Sequence, residues 1–100
     1  MCGRGYMDES KGDLKPVDNT FLLTPALKWE IASNPFNKYS SVRNDISVQQ
    51  ISPSYGFAHY LSRHIHSKIG MIVNGRGGTS ISEWTKGSGI GLYEAAIERA

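Results

Sequence analysis

Residues Ile69 to Trp84 read IGMIVNGRGGTSISEW, an apolar run followed by glycines and then a capped turn, and this order decides the fold. Ile69, Met71, Ile72 and Val73 form a short run with β-branched members, the pattern of a strand buried on both faces of a parallel sheet. Asn74 ends that run. Gly75, Gly77 and Gly78 follow, and glycine accepts backbone angles and close approaches that a side chain would block. Ser80 and Glu83 have the spacing of a capping box, so a helical turn starts there. A glycine turn leading from the carboxyl end of a strand into a helix start concentrates unpaired N–H groups and favours negative charge. Such a loop suits a phosphate or an oxyanion, and on spacing alone a tight structural turn accounts for the glycines equally well.

Upstream of this stretch, Ser52 to Ser67 reads as a helix, with Ser52 as cap and Pro53 at the first helical position. Phe57, Leu61 and Ile65 recur at helical spacing, and Ala58 widens the stripe expected to be buried. Arg63, His64, His66 and Lys68 gather at its carboxyl end, where positive charge meets the helix dipole favourably. Downstream, Lys86 to Gly91 is a flexible turn and Leu92 to Ala100 a second amphipathic helix, with Tyr93, Ala96, Ile97 and Ala100 expected on one face. That helix has no Gly, Asn or Pro to end it, which reads as a cut in a longer chain.

Toward the start, Asp18 and Asn19 signal a turn before a strand at Thr20, Phe21, Leu22 and Leu23, which Pro25 terminates. Ala26 to Phe36 reads as a short irregular segment holding a buried tryptophan, Trp29. Met1 to Asn19 reads as loop with one short helical turn, too poor in apolar residues for a core element. Asn37 to Gln50 is polar and without period, a surface loop long enough to reach over a site. Together these elements imply an α/β layered sheet with too few strands to cover its own edges.

The composition sets outer bounds. One hundred residues, 39% hydrophobic and 20% charged, describe an ordinary globular chain the size of one small domain. A net charge of +2, from 11 basic and 9 acidic side chains without a run of one sign, gives no case for nucleic acid as a partner. No stretch resembles a membrane span, and the first residues do not read as an export signal. Cys2 is the single cysteine, which excludes an internal disulfide.

Candidate chemistry outside the glycine loop is thin. His59, His64 and His66 lack the spacing of three or four that sets two metal ligands on one helix face, so no metal site is expected. Asp8 and Glu9 are adjacent in a loop and show no acid/base geometry. There is no G-x-S-x-G elbow. The loop also lacks the Lys of a phosphate-loop motif, and Ser80 stands where a dinucleotide fingerprint needs glycine.

The run Arg76-Gly77-Gly78-Thr79-Ser80-Ile81 with Trp84 resembles the G-G-T-S-I-x-x-W block of the sialate O-acetylesterase or SASA-type carbohydrate esterases, also grouped as carbohydrate esterase family six. These are SGNH hydrolases. Other pieces keep the family's order. Trp29, Ala32 and Pro35 resemble its W-x-x-A-x-x-P segment, Gly56-Phe57-Ala58 the start of the helix before the strand, and Tyr93 to Arg99 the helix after it. Met1-Cys2-Gly3-Arg4-Gly5 resembles the M-x-G-R-G part of the nucleophile block G-Q-S-N-M-x-G-R-G, which would set the nucleophilic serine just before Met1.

The resemblance implies part of a three-layer α/β/α, flavodoxin-like SGNH fold with a parallel sheet, residues 1–100 being an internal fragment of one such esterase domain. It implies a carbohydrate O-acetylesterase of sialate or xylan type, an acetylated sugar as partner and no cofactor. Members are commonly secreted or periplasmic. By resemblance, Gly78, with Gly77 as the neighbouring candidate, supplies the oxyanion-hole N–H, while Arg76 and Thr79 line or brace the substrate site. A surface or packing ion pair accounts for Arg76 as readily. The G-Q-S-N serine, the Q-G-E-S-D-type block and the Asp-x-x-His segment are not among these residues, so the chain alone is expected to be inactive. The alternative is a noncatalytic α/β module that binds a phosphate or sugar acid at Gly75–Gly78.

Overall fold

The computed structural model of the chain describes residues 5–40 and 50–100. Strand β1 spans Thr20–Leu23, β2 Trp29–Ile31 and β3 Ile69–Met71, and they form one sheet in the order β2-β1-β3. β1 pairs antiparallel with β2 and parallel with β3. Helix α1 spans Pro53–His64 and α2 Leu92–Arg99, with single 3-10 turns at Glu9–Lys11, Phe36–Tyr39 and Ile81–Trp84. No helix among the described residues is long and apolar enough to cross a membrane.

β1 has the bounds its sequence suggests, and the turn before it is marked by Asn19 at φ 52, a left-handed angle that Asn tolerates. The parallel pairing places Thr20 beside Ile69 and Leu22 beside Met71. Side chains alternate along a strand, so Thr20, Leu22, Glu30, Ile69 and Met71 share one face. Against that face pack Val17, Ala32, Phe36, Ala58 and Val73, with Tyr55 at the margin. Phe36 and Tyr55 meet edge to face at 5.8 Å between ring centroids. Each fully buried Leu or Phe here contributes about 1.5–3 kcal/mol relative to exposure.

The other face departs from expectation. Phe21, Trp29, Ile31 and Gly70 lie on it, and Trp29 and Ile31 are 53% and 62% exposed. The Ile69 strand is therefore buried on one face, and a three-layer arrangement is not present among the described residues. Trp29 is neither irregular nor buried: Trp-Glu-Ile forms a hairpin with β1, closed by Thr24 N–H on Lys28 O at 2.8 Å and by Leu27 at φ 58. Its indole lies over Gly70, where an added Cβ would come within 2.9 Å of the ring. Glycine there lets the tryptophan cross the sheet surface, leaving a groove of about 300 Å³ bounded by Phe21, Trp29, Lys68, Ile69 and Gly70.

Both helices form, with rotated faces. In α1, Ala58 is buried and Tyr55 touches the core, whereas Phe57 is 60% exposed and Ile65 stands beyond the last turn. The small Ala58 permits close approach to the sheet where a ring would not fit. In α2, Leu92 is the buried residue and Ile97 is exposed. Val17, from the segment expected to add nothing to the core, is buried, as are Asn37 and Ser40 of the supposed surface loop. Residues 41–49 of that loop, and Met1–Arg4 with Cys2, lie outside the described residues.

Candidate functional site

The glycine loop leaves the carboxyl end of β3 as the sequence implies, with Val73 and Gly75 buried and Arg76, Gly77 and Gly78 exposed. Gly78 has φ 77, the left-handed region that glycine enters without the Cβ penalty. Among the described residues, the N–H groups of Gly77 and Gly78 donate to no protein acceptor. They are two neighbouring donors available to a ligand.

The stem and exit of the loop are fixed. Ser40 Oγ donates to Gly75 O and accepts from Gly75 N–H at 3.0 Å, a reciprocal pair between segments distant in sequence. At the exit, Thr79 Oγ1 donates to Arg76 O at 2.8 Å and accepts from the Trp84 indole N–H at 2.9 Å. Thr79 thus spends its hydroxyl on the loop itself and on Trp84. Beyond it the capping box forms on a 3-10 turn: Glu83 accepts from the backbone N–H and the hydroxyl of Ser80. Those two bonds, the backbone one first, hold the Glu83 carboxyl below its ordinary range against a small desolvation effect, and the positive charge of Arg76 adds to them. Arg76 itself is exposed and forms neither of the two ion pairs found among the described residues, Lys11 with Asp8 and Lys38 with Glu30.

Arg99 was not legible as part of this assembly. From the last turn of α2 its guanidinium donates to Tyr39 O, Val73 O, Asn74 Oδ1 and Leu23 O at 2.7, 3.2, 3.1 and 3.1 Å. Burial pushes its pKa down from the usual arginine value. Neither Ser40 nor Arg99 carries a spacing signal, because their partners are 25 to 76 residues away. The histidines are not drawn together: His64 stacks on Tyr60 and His59 tilts against Tyr55. Among the described residues no group of three or more His, Cys, Asp or Glu side chains is placed to hold a metal.

The family model described as carbohydrate esterase, sialic acid-specific acetylesterase matches residues 1–100, the full chain. The chain belongs to the SASA family of carbohydrate esterases. The X-ray structure of a protein from Arabidopsis thaliana superposes on this SASA chain with a TM-score of 0.72 at 25% identity. The match covers 97% of this chain and 43% of that one, so the chain spans less than half the length of that relative. No curated protein sequence matches it. The family relation is to carbohydrate esterases, and the mixed sheet with a parallel pair agrees with part of an α/β fold.

Proposed function

We propose that residues 1–100 form an internal part of a single SGNH-type esterase domain, and that the Gly75–Gly78 loop is one arm of the oxyanion hole for hydrolysis of acetyl esters on sugars. One observation carries this reading: the neighbouring N–H groups of Gly77 and Gly78, exposed and without protein acceptors among the described residues, lie in the loop that follows the carboxyl end of a parallel strand. In serine ester hydrolysis the nucleophile's oxygen adds to the acetyl carbon and the carbonyl oxygen gains negative charge. Fixed donors stabilise that charge more than they stabilise the neutral ester, which is the source of the rate gain.

Gly78 is the donor in this scheme and Gly77 its neighbour. Arg76 lines the site with positive charge, and Thr79 braces the turn. The serine, the His that moves its proton and the Asp beside that His come from sequence beyond these residues, in the family's G-Q-S-N and Asp-x-x-His blocks. Chain extent in the Arabidopsis thaliana relative supports this division, since the matched part is 43% of it.

Three measurements test it. The DNA read in frame immediately before the Met1 codon should encode Gly-Gln-Ser-Asn; a stop codon or unrelated sequence there contradicts the assignment. The chain by itself should hydrolyse 4-nitrophenyl acetate no faster than buffer. Turnover that survives Gly78→Val would show a nucleophile elsewhere and overturn the role given to the loop. Tight binding of inorganic phosphate or a sugar acid, lost in Gly78→Val and without a serine block upstream, would instead favour a noncatalytic binding module.

A further inference from the structure

Arg99 reaches three separate segments with one guanidinium. Its Nη2 donates to Leu23 O, the last carbonyl of β1, at 3.1 Å. The two N–H groups of its Nη1 are shared among Val73 O and Asn74 Oδ1, between β3 and the glycine loop, and Tyr39 O at the end of the 3-10 turn. All four acceptors are uncharged. The fork is therefore not one half of a salt bridge but a tie across polar groups where the strands end. A planar guanidinium carries five N–H donors in fixed directions, whereas an ammonium is a single point from which Leu23 O and Tyr39 O cannot be served in the same way.

Two of the four contacts flank the Ser40–Gly75 pair. Tyr39 precedes Ser40 and is held at its carbonyl, and Asn74 precedes Gly75 and is held at its side-chain Oδ1, with the Val73 carbonyl held one residue earlier. Ser40 is 4% exposed and its hydroxyl satisfies both the N–H and the C=O of Gly75. The next residues, Arg76 to Gly78, are held at their far end by Thr79. Loop geometry at the free amides thus depends on a stem gripped from two sides.

We propose that Arg99 and Ser40 are positioning residues for the glycine loop, fixing Val73–Gly75 so that the Gly77 and Gly78 amides are held ready for an oxyanion. This rests on the reading of those amides as an oxyanion-hole arm. Arg99 touches no reacting atom and acts through the loop.

The test uses the isotope-labelled full chain with Arg99→Met, Arg99→Lys, Asn74→Ala and Ser40→Ala, and methylphosphonate as the tetrahedral anion probe. In Arg99→Met, amide exchange at Gly75 should rise about tenfold to a hundredfold, the size expected for loss of hydrogen bonds to a charged group. Exchange at Ala58 in the core should change much less. Methylphosphonate affinity, read at the Gly77 and Gly78 resonances, should fall at least about fivefold. Arg99→Lys should behave like Arg99→Met; full rescue by lysine would mean that charge alone matters and would overturn the proposal. Asn74→Ala removes a single contact and should show the same loosening in milder form, while Ser40→Ala removes both bonds to Gly75, the acceptor of its N–H included, and should raise Gly75 exchange directly and weaken methylphosphonate binding, so the two decide the matter even where Arg99→Met fails to fold.

Unchanged Gly75 exchange in the folded variants overturns the positioning role. Faster exchange in the variants with no methylphosphonate response in the unmodified chain keeps that role and removes the oxyanion reading. An equal response in unmodified and Arg99→Lys chains keeps the oxyanion reading and removes the positioning role.

Discussion

Glu83 shows how one side chain can be read twice, once from spacing and once from geometry. The Ser80–Glu83 spacing announces a capping box, and the carboxylate does reach back to Ser80. That contact holds its pKa below the ordinary range, so its stabilisation is complete above the unfolded-state value, about pH 4.3. It is lost as pH falls through the lower folded-state value. The Glu83 carboxyl carbon should therefore titrate below the ordinary glutamate range, with the Ser80 amide moving in step. A midpoint at or above the ordinary glutamate value would contradict the bond, and Glu83→Gln should abolish the Ser80 titration. The glycines were similarly legible as a turn, but not which of them needs its freedom for what. Gly78 needs a positive φ, whereas Gly70 needs the space that Trp29 occupies. The first can be read from a turn pattern; the second depends on a residue 41 positions away that only tertiary pairing brings across the sheet.

At the scale of elements, local signals located β1, the start of α1 and the strand, turn and cap around Ile69 to Trp84, because capping residues, proline and β-branched runs act within a few positions. They did not reveal β2. Trp29-Glu30-Ile31 offers a single alternation between prolines, and pairing to β1 supplies what its own pattern lacks. Helix faces were misread for a related reason: hydrophobicity alone turns Phe57 inward, while close packing on the sheet selects Ala58 and Tyr55. The cap of α1 yields a separate expectation. Ser52 occupies the cap position, yet its hydroxyl is buried with no hydrogen-bond partner among the described residues. Ser52→Ala should then alter stability by less than about 0.5 kcal/mol, instead of the ~1 kcal/mol typical of losing a working cap. Urea unfolding decides between them, and a loss near the larger value would show that the hydroxyl bonds in solution.

Across the whole molecule, one side of the sheet builds the core and the other presents Trp29, Ile31 and the groove beside Gly70 to solvent. An apolar surface of that kind should bind a hydrophobic dye. Trp29→Thr with Ile31→Thr should lower dye binding severalfold while cooperative unfolding persists; unchanged binding would place the apolar surface elsewhere. Sequence reading predicted cover on that face because a parallel strand implies it; the parallel pairing is present, and among the described residues nothing covers Trp29 and Ile31. The glycine loop, by contrast, emerges where the reading put it, with its stem secured by Ser40 and Arg99 and two amides left free of protein acceptors among the described residues. Titration of the labelled full chain with methylphosphonate tests the central claim most directly. Saturable downfield shifts of the Gly77 and Gly78 amide protons, abolished by Gly78→Val, are the predicted result; shifts confined to other residues, or none at these two amides, would contradict it.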